Sequence, residues 1–197
     1  GDGWRVEATR GHVRDLPQDR LGVDVKADFR PLYNVLPGQV NTVRRLLKAI
    51  REAEAVYIAT DPDREGEAIA WHVLQLAGLP PDKPVYRVTF TAITEDAVKA
   101  ALASPRPLDV NLVEAQQTRR IVDRLVGYLV SPVACQALDG RYSAGRVQSA
   151  CLRLMVERER RIAAFTPETY WTLDALLASD SGEFPARLHT VKGQAVE

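Results

Sequence analysis

The chain has no net charge to speak of: 26 Lys and Arg offset 26 Asp and Glu over 197 residues. Bulk charge therefore gives no reason to expect a polyanion as partner. Cysteine is scarce. Cys135 and Cys151 are the only two and stand in no C-x-x-C spacing, which argues against a disulfide scaffold or a cysteine metal site. Both lie in apolar, helix-like surroundings and are expected as buried free thiols in a reducing compartment. No apolar run approaches the ~18 residues of a membrane span. No secretory leader pattern is visible, so a cytoplasmic setting with no membrane partner is expected. Internal repeats and low-complexity tracts are lacking too. What is left is ordinary for a globular chain: 46% hydrophobic and 26% charged residues, with length enough to bury a core in one domain or two small ones.

The charge is unevenly spread. Residues 109–165 hold nine Arg, no Lys and six acids, a net of +3. Residues 1–108 balance at 15 against 15, and 166–197 is net −3. Every cation of the positive segment is thus Arg, whose planar donor fork suits phosphate.

Along the chain, 4–8 reads as a short strand, 11–17 as a loop and 19–37 as irregular. Residues 39–54 read as a helix, with Val43, Leu46, Leu47 and Ile50 at helical spacing. A compact apolar strand follows at 55–59, then a turn at 60–64. A second amphipathic helix at 65–77 is ended by Gly78 and the Pro80-Pro81 pair. A strand at 85–90 and a helix at 94–103, with Thr94 as N-cap, complete an alternation that implies a parallel α/β sheet. From Asn111 the pattern turns helical. Long helices are expected at 112–129 and 149–165, joined through Ser131-Pro132, a third short helix and a polar loop. A strand at 170–177 opens a further β-containing region.

The densest chemistry lies in Asp61-Pro62-Asp63-Arg64-Glu65-Gly66-Glu67, four carboxylates in seven residues at the C-terminal end of a strand. Open α/β sheets place their ligand sites there. Asp61 and Asp63 are two apart, so an extended turn aims both the same way. Hard oxygen ligands with open positions suit Mg2+, and such crowding without a cation raises carboxylate pKa values. A solvated helix start, whose acids merely complement the helix dipole, is the plain alternative. Pro62 stiffens the turn and Gly66 permits close backbone approach, as a phosphate-handling loop requires.

The stretch from Asp61 through Ala68-Ile69-Ala70-Trp71-His72 resembles the TOPRIM signature in the form used by type IA DNA topoisomerases. Three further stretches resemble the same family. Gly11-His12-Val13-Arg14-Asp15-Leu16-Pro17 is similar to the loop after its first strand, and Arg87-Val88-Thr89-Phe90-Thr91-Ala92-Ile93-Thr94 to its strand and turn after the acidic motif. Ser143-Ala144-Gly145-Arg146-Val147-Gln148-Ser149, with Glu157-Arg158-Glu159, is similar to its helical DNA-binding arm. The wording of these motifs is closer to the bacterial topoisomerase I branch.

The resemblance implies a TOPRIM-like parallel sheet over 1–107, a helical single-strand DNA arm over 108–166 and an incomplete β-containing region over 167–197. It implies that Asp61, Asp63 and Glu65 hold Mg2+ beside the scissile phosphate, with His12 next to the catalytic pocket. Arg87, near the end of the neighbouring strand, is expected to bind an anion. It implies that Arg119, Arg120, Asp123 and Tyr128 line the path of the cut strand, Arg on phosphates and Tyr128 stacking on a base. By spacing alone a solvated face with an internal i,i+4 pair is the favoured reading. Free N–H groups at the start of the next helix, with Ser143, Arg146, Gln148 and Ser149, suit a phosphate. Trp71 and His72 are assigned to packing.

Two features of the family are missing. Its nucleophilic tyrosine sits in a Tyr-x-Arg-Thr-Asp-like motif, and none of Tyr33, Tyr57, Tyr86, Tyr128, Tyr142 and Tyr170 does. Its first TOPRIM strand is absent as well. The expectation is a fragment of an enzyme that cuts one strand through a 5′-phosphotyrosine link and relaxes negative supercoils. Its partners would be single-stranded or negatively supercoiled DNA and the missing domains of the parent enzyme. The fragment by itself is expected to be inactive. A stand-alone single-strand DNA-binding module and a TOPRIM nuclease or primase remain the alternatives.

Overall fold

A computed structural model describes residues 3–195; those parts of the expected 1–107 and 167–197 regions that fall on residues 1, 2, 196 and 197 lie outside it. Four two-residue strands come first: β1 (Arg14–Asp15), β2 (Val23–Asp24), β3 (Arg30–Pro31) and β4 (Asn34–Val35). β1 pairs antiparallel with β4, and β2 with β3. Then come α1 (Val40–Glu52), β5 (Val56–Ile58), α2 (Arg64–Ala77), β6 (Val85–Arg87) and α3 (Glu95–Ala103). The helical part holds α4 (Val110–Ala137) and α5 (Arg146–Ala163), followed by the hairpin β7 (Asp174–Ser179) and β8 (Gly182–Arg187), and the short pair β9 (Thr190–Val191) and β10 (Gln194–Ala195).

β5 and β6 run parallel in the register Val56↔Val85, Tyr57↔Tyr86 and Ile58↔Arg87. This crossover through α2 is the α/β unit that the alternation of elements implied. The helices form where the spacing put them. α1 buries Val43, Leu46 and Ile50, which meet Val13 of the loop and Val73 of α2 in the main apolar cluster. Gly78 ends α2 in the left-handed conformation at φ 54°, where a side chain would be strained. Thr94 caps α3 by accepting from Ala97 N.

Three local expectations are corrected. Residues 4–8 form no strand; the Trp4 ring instead lies tilted against Tyr57, ring centroids 5.0 Å apart. No separate third helix follows Pro132, because α4 continues through it to Ala137. Proline removes one ladder bond, but this stretch is tied laterally. Ser131 Oγ accepts from Ala144 N at 2.9 Å, and Cys135 Sγ accepts from Tyr142 N at 3.3 Å. Nor are both thiols buried: Cys135 is half-buried and Cys151 exposed, since the face of α5 that carries Cys151 is itself open to solvent.

Compactness divides the chain at Ser149, into Gly1–Ser149 and Ala150–Glu197. The first unit extends past 107 because α4 packs along α2. The second is the rest of α5 and the β7–β10 hairpins, with nearly every described residue exposed. No helix is long and apolar enough to cross a membrane among the described residues.

Candidate active site and nucleic-acid face

The chain leaves β5 at Ile58 and turns back on itself before α2 begins. Asp63 is the N-cap, its carboxylate accepting from Gly66 N at 2.8 Å, the contact that acids make at helix starts. Thr60 Oγ1 donates to Gly66 O at 2.7 Å. A Cβ on Gly66 would sit 2.1 Å from the Asp61 carbonyl oxygen. Glycine is therefore required by the closeness of the turn, not by an unusual φ.

The four acids of this turn divide. Asp61 and Asp63 are exposed and Glu65 is half-exposed, whereas Glu67 is fully buried. Glu67 accepts from Arg87 Nε at 2.9 Å, from Asp109 N at 3.0 Å and from Arg106. Burial pushes its carboxyl up, yet the bonds from Arg106, Asp109 and Arg87 more than offset this, and its pKa lies below the usual carboxylate range. Arg87 is just as enclosed, 3% exposed. Besides Glu67 it donates to Asp61 O at 2.7 Å and Ile58 O at 3.2 Å. Its fork braces the backbone of the acidic turn from beneath. The anion it meets here is the Glu67 carboxylate.

The donor set of Asp61, Asp63 and Glu65 suits Mg2+ by chemistry, being hard carboxylate oxygens next to open space. By arrangement it does not yet fit. Among the described residues no three His, Cys, Asp or Glu side chains converge on a metal position. Asp63 is turned to Gly66 N. Glu65 Oε2 is engaged by His12 Nε2 at 3.2 Å and accepts from Gln116 Nε2 at 3.1 Å.

These Glu65 contacts open onto a cleft of about 450 Å³ that brings His12, Asp15, Gln116, Arg119, Arg120 and Asp123 together. The loop of β1 and the arginine face of α4 form its sides. Arg120 holds Asp15 with two bonds, 2.8 and 2.5 Å. Burial raises the Asp15 carboxyl, but the Arg120 bond and the Leu16 amide bring it below its ordinary value. Asp123 takes Arg146 Nε at 2.6 Å and Arg119 Nε at 3.8 Å; the Arg146 bond lowers its pKa and raises that of Arg146.

The remaining expected DNA contacts lie further along. The Tyr128 hydroxyl donates weakly to Gln18 O at 3.4 Å, and its ring lies 5.5 Å from the Arg124 guanidinium. Gln148 and Ser143 approach each other at 3.5 Å, and Ser149 is exposed in the first turn of α5. Three participants were not singled out from sequence. Gln116 stands one turn before Arg119 and Arg120 and two turns before Asp123 on the same helix face, a signal the spacing did carry. Asp15 stood in the motif at 11–17 and Arg124 one turn beyond Arg120, but their contacts were not legible, because their partners lie across the fold; Arg124 donates to Pro17 O at 2.7 Å.

Two family matches cover most of the chain. Residues 1–93 match the Toprim domain family and residues 107–195 the DNA topoisomerase family. The chain belongs to the type IA DNA topoisomerases. It is 47% identical to DNA topoisomerase 1 of Streptomyces coelicolor over 100% of this chain, and 47% identical to DNA topoisomerase 1 of Synechococcus elongatus over 97%. It is also similar to the solved full-length topoisomerase I of Thermotoga maritima, with 37% identity and a TM-score of 0.81 over 100% of this chain. The chain spans 22% and 23% of the two curated relatives and 33% of the solved one.

Proposed function

We propose that this chain is the portion of a bacterial topoisomerase I that holds Mg2+ and the single strand beside it. The whole enzyme cuts one DNA strand through a 5′-phosphotyrosine link, passes a strand and reseals, relaxing negative supercoils in the cytoplasm. The observation that carries the reading is one cleft. Glu65 of the acidic turn contacts Gln116 of α4, and that same face of α4 presents Arg119 and Arg120.

In this reading Asp61, Asp63 and Glu65 would hold Mg2+, which would offset phosphate charge. Holding it would require Glu65 to exchange its contacts with His12 and Gln116, and Asp63 to reach the ion from its cap on Gly66 N. Arg119, Arg120 and Arg146 exchange carboxylates for DNA phosphates, and Tyr128 offers a ring for stacking. Asp123 orients Arg119 and Arg146. The nucleophile belongs to another part of the enzyme, so this polypeptide alone forms no covalent adduct. Labelled single-stranded DNA incubated with the chain and Mg2+, then denatured, is expected to run free of protein. In native anisotropy the same DNA is expected to bind in a salt-dependent way. Undetectable binding at low salt would overturn the reading.

A further inference from the structure

The cleft also holds a cation with no carboxylate of its own. Arg14, on β1, is half-buried, and its Nε donates to His72 Nδ1 at 2.6 Å. Its guanidinium lies 5.3 Å from the Tyr33 ring and 5.1 Å from the Trp71 ring. These contacts fix the plane of the fork. His72 is able to accept because it is neutral: burial, with the nearby Arg14 charge, pushes its pKa down to about 3. Among the described residues this is the only side-chain hydrogen bond Arg14 makes, and no carboxylate offsets its burial. A half-buried guanidinium with free terminal nitrogens is an unfavourable end state.

Beside it stands a second unsatisfied group. The Tyr33 hydroxyl is buried and has no hydrogen-bond partner among the described residues, and it lies in the field of Arg14, Asp15 and Arg120. Buried polar atoms are rarely left so. One ligand answers both groups: an oxyanion, which accepts from the open side of the Arg14 fork and from the hydroxyl.

We propose that Arg14 and Tyr33 form a phosphate seat in the cleft, taking one backbone phosphate of the single strand. The assignment rests on the DNA-strand reading above and adds a contact to it. Reaching the hydroxyl requires neighbouring side chains to shift, and Arg120 on Asp15 is a contact which that reading already releases. Tyr33 is then the donor that replaces it on the seat side.

The test uses the full chain, a fluorescent oligodeoxythymidylate and a salt series, with three variants. Tyr33→Phe is isosteric and removes only the orphaned hydroxyl. It is expected to weaken binding about 3- to 10-fold with the salt slope unchanged, while the melting temperature of the free protein stays level or rises. Arg14→Gln is expected to weaken binding about 10-fold and flatten the slope by about 0.7, one phosphate's share on a single strand. Arg120→Ala reports on the underlying reading. If it weakens binding while Tyr33→Phe and Arg14→Gln bind as wild type, the seat is refuted and the reading stands. If none of the three matters, both fall. Should Arg14→Gln fail to fold, Tyr33→Phe decides alone. Inorganic phosphate separates the sources: if it raises the melting temperature of wild type but not of Tyr33→Phe, while both bind the oligonucleotide equally, the seat serves a free anion and the DNA assignment is overturned.

Discussion

The acidic turn after β5 and the arginine face of α4 are both dense in charge, yet they are assembled by opposite means. In the turn, one acid of four is sacrificed to structure: Glu67 is buried under Arg87 and Arg106. That leaves Asp61 and Asp63 in the open. Along the arginine face no charged side chain is buried to the same degree, and Arg119 and Arg120 of α4, with Arg146 of α5, pair with carboxylates at the rim. Arg120 sits on Asp15, while Arg119 and Arg146 share Asp123. A buried pair is rigid and costly to break; a rim pair is weak and exchangeable. The turn is thus built to stay, and the arginine face to trade its partners for phosphate.

Removing the buried acid tests the contrast most severely. Glu67→Ala strands Arg87 without its counter-charge and is expected to cost about 3–5 kcal/mol of folding stability, read by urea denaturation. A loss below about 1 kcal/mol would mean that Glu67 is no more structural than its exposed neighbours.

Acid comes next. The folded-state pKa of His72 is about 3, against ~6.5 unfolded. Protonation then favours the unfolded chain, so stability falls as pH drops below about 6.5, by up to ~1.4 kcal/mol per unit. Glu67 and Asp15, with lowered pKa values, keep their stabilising charge until the pH passes below their unfolded pKa values of about 4. Between pH 6.5 and 5 the slope is therefore that of His72, and His72→Gln should flatten it in denaturation midpoints. An unchanged slope would detach the histidine from it.

Binding effects are of middle size. Tyr128→Ala is expected to cost about 1–3 kcal/mol of single-strand affinity at an unchanged salt slope, whereas Arg120→Ala flattens the slope by about 0.7. Equal salt slopes in the two variants would show that the rim arginines do not exchange onto phosphate. Smallest is the effect of the open acids on folding. Asp61→Asn with Asp63→Asn is expected to change stability by under about 0.5 kcal/mol, since Asn also caps a helix. The same variant should lose any Mg2+-dependent thermal shift of the wild type. An equal shift in both would remove Asp61 and Asp63 from the metal site.

Much of this was legible before folding. Val43, Leu46 and Ile50 marked the buried face of α1 by spacing, Gly78 the end of α2, and Thr94 the start of α3. The motif around Asp61 placed the candidate site at the end of β5. Residues 4–8 misled because residue types are a local signal, while a strand exists only with a partner for its backbone groups. Pro132 misled for the converse reason: lateral bonds from Ser131 and Cys135 outweigh one lost ladder bond.

The sequence by itself determined where the helices run and which residue types gather near the turn, because period, caps and glycines act within a few residues. Only the tertiary structure decided what each charge does. Asp61, Asp63, Glu65 and Glu67 are equal in a string of letters, but Arg87 arrives from β6 and Arg106 from beyond α3 to claim Glu67, while Gln116 and His12 claim Glu65. A carboxylate's role follows from its solvation and its nearest opposite charge, and both are set by segments far away along the chain.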